Sequence, residues 1–366
     1  MTASIDSQAQ SLSLRLFVAC LGSAELMTAY LGVRLGLYDA LRDKPATPDE
    51  LAGRTGIGPR YAREWLEQQA AAGILTVDDP RRAPDSRLYT LPPGHAEALT
   101  DPDSPYYVAP LAVFPVGGIA GVLPQLIEAY RTGKGVPYAT YGTGLRGGQG
   151  GLNRSVFVNE LAGWIRTALP DVHAKLSAGG ARIADIACGS GWSSITLARA
   201  YPTAVVHGFD LDPASVEDAT ANAVEAGVAD RLTFAARDAA ELAAAVSRDG
   251  GYDLVCLLDA LHDMARPVQV LAACRAMAAE CGGTVLLMEP RVADRFTAPA
   301  REVERFMHAV SLLHCLPVGL SEQPSAATGA MIRPAVVRDY ATQAGFRAVR
   351  VLPVDHTFHR LYRLTP

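Results

Sequence analysis

The chain has 366 residues, a formal net charge of −5, 49% apolar and 19% charged residues, long enough for one α/β domain of about 200 residues plus a smaller one. Neither that charge nor any block of like charge offers the basic footprint of a nucleic-acid binder, so no nucleic-acid partner is expected. The six cysteines (20, 188, 256, 274, 281 and 315) show no Cys-x-x-Cys spacing and mostly sit in apolar surroundings, which reads as reduced, buried thiols of a cytoplasmic protein, without a disulfide framework or a zinc site.

Residues 1–10 carry no basic region ahead of an apolar run, and no secretory signal is expected there. Residues 11–41 are mostly apolar with sparse charges (Arg15, Glu25, Arg34, Asp39), which predicts a buried helix, in two pieces around Gly32 and Gly36. Glu25 ends the uncharged run 16–24 well short of a membrane span, and Pro105, Pro110, Pro115, Pro124 and the Gly117-Gly118 pair break the run 104–127. No membrane partner is expected. Thr47-Pro48-Asp49-Glu50 is a helix start: a capping threonine, proline in the first turn, and acids against the dipole. A second helix, 59–72, stops at Gly73, and 74–77 with 87–91 alternate like a short hairpin. Helix, helix and two-stranded wing make a winged-helix pattern, and residues 1–98 form the N-terminal domain. Its second helix carries Arg60, Arg63, Glu64 and Glu67, near charge balance instead of a phosphate-tracking face.

Residues 99–366 form the second domain, with a helical linker at 99–170 and a Rossmann-like core at 171–366. Gly142, Gly144, Gly147, Gly148, Gly150 and Gly151 make a flexible stretch, either a lid or a plain surface crossover. Residues 153–169 read as an amphipathic helix whose Phe157 and Trp164 either touch a ligand or pack the core. From 171 onward strands alternate with helices, near 182–187, 204–210, 232–236, 252–258 and 284–289. Gly345-Phe346 then precedes a final antiparallel pair, 348–354 and 358–364. Ligands of such sheets bind beyond the carboxyl ends of the strands, where Asp185, Asp210, Asp238, Asp259, His262 and Glu289 all fall.

Within that rim, Asp185-Ile-Ala-Cys-Gly189-Ser-Gly191 reads as a strand running into a Gly-x-Gly turn that opens a helix. Asp210 ends the next strand. The glycines let a ligand approach the backbone, and the Asp210 carboxylate is suited to the two hydroxyls of a ribose. Asp238 stands where a third polar contact to a nucleoside would fall. A dinucleotide site wants a third small residue where this chain has Ser194, and Asp185 would repel a pyrophosphate. S-adenosyl-L-methionine, with a sulfonium, an α-amino group and no phosphate, suits the acidic triplet Asp185, Asp210 and Asp238 better.

Asp185-Ile-Ala-Cys-Gly-Ser-Gly, Phe209-Asp210-Leu211-Asp212, Arg237-Asp238-Ala239 and Asp259-Ala-Leu-His262-Asp263 occur in an order that resembles the class I S-adenosylmethionine-dependent methyltransferases. More closely, the chain is similar to the small-molecule O-methyltransferases with an N-terminal winged-helix dimerisation domain. Ala187 and Cys188 stand where that family often has glycines. The resemblance implies a doubly wound, mostly parallel seven-stranded α/β sheet and a homodimer built through the winged helix. It implies S-adenosyl-L-methionine as cofactor, with S-adenosyl-L-homocysteine as product, on Asp185, Gly189, Gly191, Asp210, Leu211, Asp238, Ala239 and Asp259. His262 becomes the general base for a small-molecule hydroxyl, Glu289 the acid that orients it, and no metal is required. Asp263 reads as a helix cap. The family's second acid partner has no clear match, and Phe306, Met307, His314 and Met331 are plausible pocket walls. His356 and His359 read as structural. Two other functions remain open: an enzyme of this fold performing a different reaction, and a cofactor-sensing DNA-binding regulator.

Overall fold

A computed structural model describes residues 5–242 and 250–366; residues 1–4, part of the segment read for a leader, lie outside it. The chain divides into two compact units, one of residues 1–120 with 143–155, the other of 121–142 with 156–366. Residues 99–120 and 143–155 group with the N-terminal unit.

That unit starts with α1 (Ile5–Arg34), followed by α2 (Leu37–Leu41), α3 (Pro48–Thr55) and α4 (Pro59–Ala71). Gly36, at φ 65°, makes the break after α1 that an L-residue would resist. Thr47 caps α3 in a reciprocal box: its backbone N–H donates to Glu50 (2.9 Å) and its hydroxyl accepts from the Glu50 N–H (3.4 Å). Such a cap contributes about 1 kcal/mol. The core gathers Leu37, Tyr38, Leu41, Leu51, Leu66 and Tyr89, with Trp65 set edge-on to Tyr38 at 5.2 Å. The wing is short, β1 (Thr76–Val77) against β2 (Tyr89–Thr90).

Two expectations fail in this unit. Apolar α1 is not buried: Phe17 is 66% exposed, and Gly32 is its one buried residue. The cover it receives lies near its C-terminal end, where Trp65 and Tyr38 close on Gly32. The glycine stretch is not a loop either but the helix Gly142–Val156. A Cβ on Gly144 would land on the Gly117 carbonyl, one on Gly148 would sit 2.6 Å from Phe114 Cα, and one on Gly151 2.7 Å from Pro110 Cγ. These glycines serve close packing against residues 110–118. Among the described residues two segments, Ile5–Arg34 and Pro110–Thr132, are long and apolar enough to cross a membrane by length and composition, with hydropathies of 1.6 and 1.7.

The second unit is built on a seven-stranded sheet of order β5-β4-β3-β6-β7-β9-β8. Its strands are β3 (Arg182–Ile186), β4 (Val205–Asp210), β5 (Leu232–Ala236), β6 (Leu254–Leu258), β7 (Thr284–Pro290), β8 (Ala348–Val351) and β9 (His359–Thr365). The first five run parallel, and β9 inserts antiparallel between β7 and β8. Period-two alternation assigns the faces. Leu254, Cys256, Leu258, Leu286 and Met288 join one core cluster, while Val255, Leu257, Val285 and Leu287 join the other. Each fully buried Leu or Val contributes roughly 1.5–3 kcal/mol. The predicted helix at 153–169 is interrupted by the π-helical turn Phe157–Leu161, and both Phe157 and Trp164 are core residues, 5% and 7% exposed. The strand order reverses between β3 and β6, which opens the crevice where ligands of doubly wound sheets sit.

Candidate active site

Along the carboxyl edge the expected residues fall in strand order: Asp238 after β5, Asp210 ending β4, the Gly189–Gly191 turn after β3, Asp259 to His262 after β6, and Glu289 in β7. The turn needs left-handed backbone at Ala187 (φ 54°), Gly189 (φ 52°) and Gly191 (φ 82°). Only Ala187 carries a side chain there, at a cost of roughly 1–3 kcal/mol. A Cβ on Gly191 would press on the Phe234 ring at 2.7 Å.

The acids on this side brace the backbone. Asp185 is 1% exposed, and its Oδ2 accepts hydrogen bonds of 2.6 Å from both Ser193 and Ser194, so its carboxylate sits behind the turn. Asp210 accepts from the Gly189 N–H (2.8 Å) and the Asp212 N–H (2.9 Å), tying β4 to the turn. Asp238 accepts from the Ala240 N–H at 2.8 Å and from Arg266 at 2.6 Å. Leu211 projects outward, 61% exposed, and Ala239 is half-buried. Asp259 takes the left-handed conformation (φ 58°) while its N–H donates to Met288 O at 2.8 Å.

Burial is the main cause that pushes the Asp185 carboxyl up to about 6 and Asp259 up to about 7, and it raises Asp210 as well. A rim of carboxylates that resist ionisation is relieved by a cation and worsened by a pyrophosphate. The sulfonium and ammonium of S-adenosyl-L-methionine fit these residues.

On the other side of the crevice the acids hold a histidine. His262 lies in the single 3₁₀ turn Leu261–Asp263, 4% exposed, and its Nδ1 donates to Glu289 Oε2 at 2.6 Å. Glu289 is 0% exposed, and its other oxygen accepts from the Leu261 N–H at 2.9 Å. Nε2 faces Asp263 Oδ1 at 3.2 Å. Asp263 is therefore a partner of the ring and not the helix cap the sequence suggested; its carboxylate turns back toward His262. Burial alone would depress the imidazolium, but Asp263 and Glu289 outweigh it and hold its pKa well above the ordinary 6.5.

The π-helical turn Ser311–Cys315 brings two further groups. His314, 1% exposed, lies edge-on to Tyr141 at 5.0 Å, with its Nδ1 4.0 Å from Asp263 Oδ2. Cys315 Sγ lies 3.7 Å from that Nδ1. The sequence named His314 as a pocket wall and passed over Cys315; an acid, a histidine and a cysteine separated by some fifty residues carry no spacing signal. His356 stacks on His359 at 4.9 Å, and Phe306 stays 45% exposed.

Residues 177–329 match the family described as a methyltransferase domain, and residues 22–101 match the Rv2258c-like winged HTH domain. The ubiquinone biosynthesis O-methyltransferase of Methylococcus capsulatus is 28% identical over 197 residues, 51% of this chain and 74% of that protein. Human N-acetylserotonin methyltransferase, in complex with S-adenosylmethionine, superposes with a TM-score of 0.66 at 17% identity over 100% of this chain and 99% of that one. A mitomycin 7-O-methyltransferase superposes with a TM-score of 0.66 at 22% identity over 98% and 99%.

Proposed function

From the premise that this chain is an S-adenosylmethionine-dependent methyltransferase with an N-terminal winged-helix domain, we propose that it methylates a hydroxyl of a small molecule, with His262 as general base. The observation that carries this reading is the 2.6 Å bond from His262 Nδ1 to Glu289, at the strand ends that flank the Gly189–Gly191 turn. Bound in the crevice, S-adenosyl-L-methionine supplies an electrophilic methyl group.

The protein's own residues then have separate tasks. Asp210, already fixed by two backbone N–H groups, keeps lone pairs for the ribose hydroxyls. Exposed Leu211 and the Ala239 backbone flank the adenine, and Asp238 lies beyond them. Asp185 holds the turn through Ser193 and Ser194 instead of touching the ligand. Asp259 meets the cationic end. Glu289 fixes the His262 tautomer so that Nε2 takes the acceptor's proton, and the resulting imidazolium is stabilised by Glu289 and Asp263. Positioning of donor and acceptor contributes up to roughly 7–11 kcal/mol of the barrier reduction.

The exposed apolar surface of α1, from Leu12 (50%) through Phe17 (66%) to Leu31 (50%), fits a second copy of the chain, in a cytoplasmic homodimer. Sedimentation without detergent checks this: Phe17→Asp should shift dimer to monomer, and a protein that stays soluble only in detergent would refute it. For the reaction, methyl-labelled cofactor is offered with a panel of phenols. Label is expected on oxygen, and a protein that binds the cofactor yet labels only nitrogen or carbon acceptors overturns the O-methylation reading.

A further inference from the structure

Cys315 has no task in that mechanism, yet its thiol lies against the proton-holding residues. His262, Asp263 and Cys315 each bring one donor atom to a group in which all lie within 4.8 Å of one another. We propose that these three side chains form a chelating site for a borderline-soft divalent cation, Zn²⁺ in particular, and that its occupation silences the base by taking the Nε2 lone pair.

Donor atoms of a tetrahedral zinc site, with bonds of about 2.0–2.3 Å, stand roughly 3.3–3.8 Å apart. With all donor atoms within 4.8 Å of one another, no pair has to close by more than about 1.5 Å to reach that arrangement. The ring is already oriented for it. Nδ1–H is spent on Glu289 at 2.6 Å, and Glu289 is itself fixed by the Leu261 N–H, the carboxylate–histidine–metal arrangement that keeps the second nitrogen pointed at a cation. Asp263 Oδ1 is buried and has the His262 Nε2 face, at 3.2 Å, as its neighbour, so displacing the ring proton leaves a carboxylate oxygen turned toward the same point as the ring nitrogen. The supporting backbone is held as well: Gly329 N–H donates to His262 O at 3.0 Å, and Ala330 N–H donates to Ser311 Oγ at 3.1 Å.

One nitrogen, one carboxylate and one thiolate select Zn²⁺ or Co²⁺ over Mg²⁺ or Ca²⁺. The charge balances: binding expels one proton from the imidazolium and one from the thiol, and a dication replaces two protons. The fourth position stays open, as in a three-ligand site. His314 lies beside the thiolate, its Nδ1 3.7 Å from Cys315 Sγ. The cation site rests on its own geometry; only the inhibitory consequence rests on His262 being the base.

The test titrates Co²⁺ into the full chain in which Cys20 and Cys281, which are exposed and not buried as the sequence suggested, are replaced by Ser. A thiolate-to-cobalt absorption band should appear, be bleached by Zn²⁺, and vanish in Cys315→Ala. Because even an outer partner of a ligand is worth about 10–100-fold in metal affinity, losing the thiolate should weaken Zn²⁺ inhibition of methyl transfer at least about a hundredfold. Absence of the band, or its persistence in Cys315→Ala with the fold verified by circular dichroism, overturns the proposal. Calorimetry of S-adenosyl-L-methionine on the same samples reads the methyltransferase assignment separately.

Discussion

The two halves of the sheet's carboxyl edge use the same residue type for opposite purposes. Beyond β3, β4 and β5, the aspartates spend their oxygens on nearby hydroxyls, N–H groups and one arginine: Asp185 on Ser193 and Ser194, Asp210 on Gly189 and Asp212, Asp238 on Ala240 and Arg266. Beyond β6 and β7, Glu289 and Asp263 each turn one oxygen to the same imidazole, with the other Glu289 oxygen held by the Leu261 N–H. The first half builds a rigid concave surface with residual negative charge. The second stores a proton. A carboxylate's function is thus set by whether its neighbour is a fixed backbone dipole or a titrating ring.

That division is broken most directly at His262. His262→Ala is expected to lower kcat by about 10²–10⁴ while leaving cofactor affinity, measured by calorimetry, unchanged; a variant that loses the cofactor as well would show the halves to be one site. Asp210→Ala should do the reverse, weakening S-adenosyl-L-methionine binding by about 1.5–3 kcal/mol, or roughly 10–100-fold in Kd. Full retention of affinity would remove the ribose assignment.

Smaller effects sharpen the contrast through pH. Asp259, pushed up to about 7, and Asp185, pushed up to about 6, are partly protonated in the ligand-free site near neutrality. A cation lowers both pKa values, so binding should release protons and affinity should rise with pH across that window, by no more than about tenfold per pKa unit. The neutral thioether of S-adenosyl-L-homocysteine should show a weaker slope, and equal slopes would place the sulfonium elsewhere. For the proton half, turnover requires neutral His262. The limb of kcat/KM should therefore rise with pH through the ring's raised pKa, above 6.5. Asp263→Asn removes one of the two acids facing the ring, with Glu289, His314 and Cys315 left in place, and should move that limb to lower pH. A limb that stays in place would deny Asp263 its influence.

The two glycine clusters show how much was legible. Gly189 and Gly191 lie at a strand–helix junction with an acid before and another one strand later, so their turn could be read from spacing within a single βαβ unit. Gly144, Gly148 and Gly151 fall on one face of a helix, but glycine disfavours helices, and local propensity gave a loop. Contact with Gly117, Phe114 and Pro110 overrides that propensity, and those partners lie a variable distance away along the chain. The burial expected of α1 failed for the same reason: an apolar composition says that a face wants cover, not that this chain supplies it.

The amino-acid sequence alone determined the alternation of strand and helix, the acidic rim, the Gly-x-Gly turn and the presence of His262 and Glu289 on that rim, because periodicity and βαβ topology carry each of these to the same edge; their pairing was implied by the family resemblance. Only the tertiary structure decided that Asp263 turns back on the ring, that Cys315 and His314 close around it, and that a run of glycines is a packed helix. Those outcomes depend on side chains from distant segments meeting in space, and no local preference encodes the meeting.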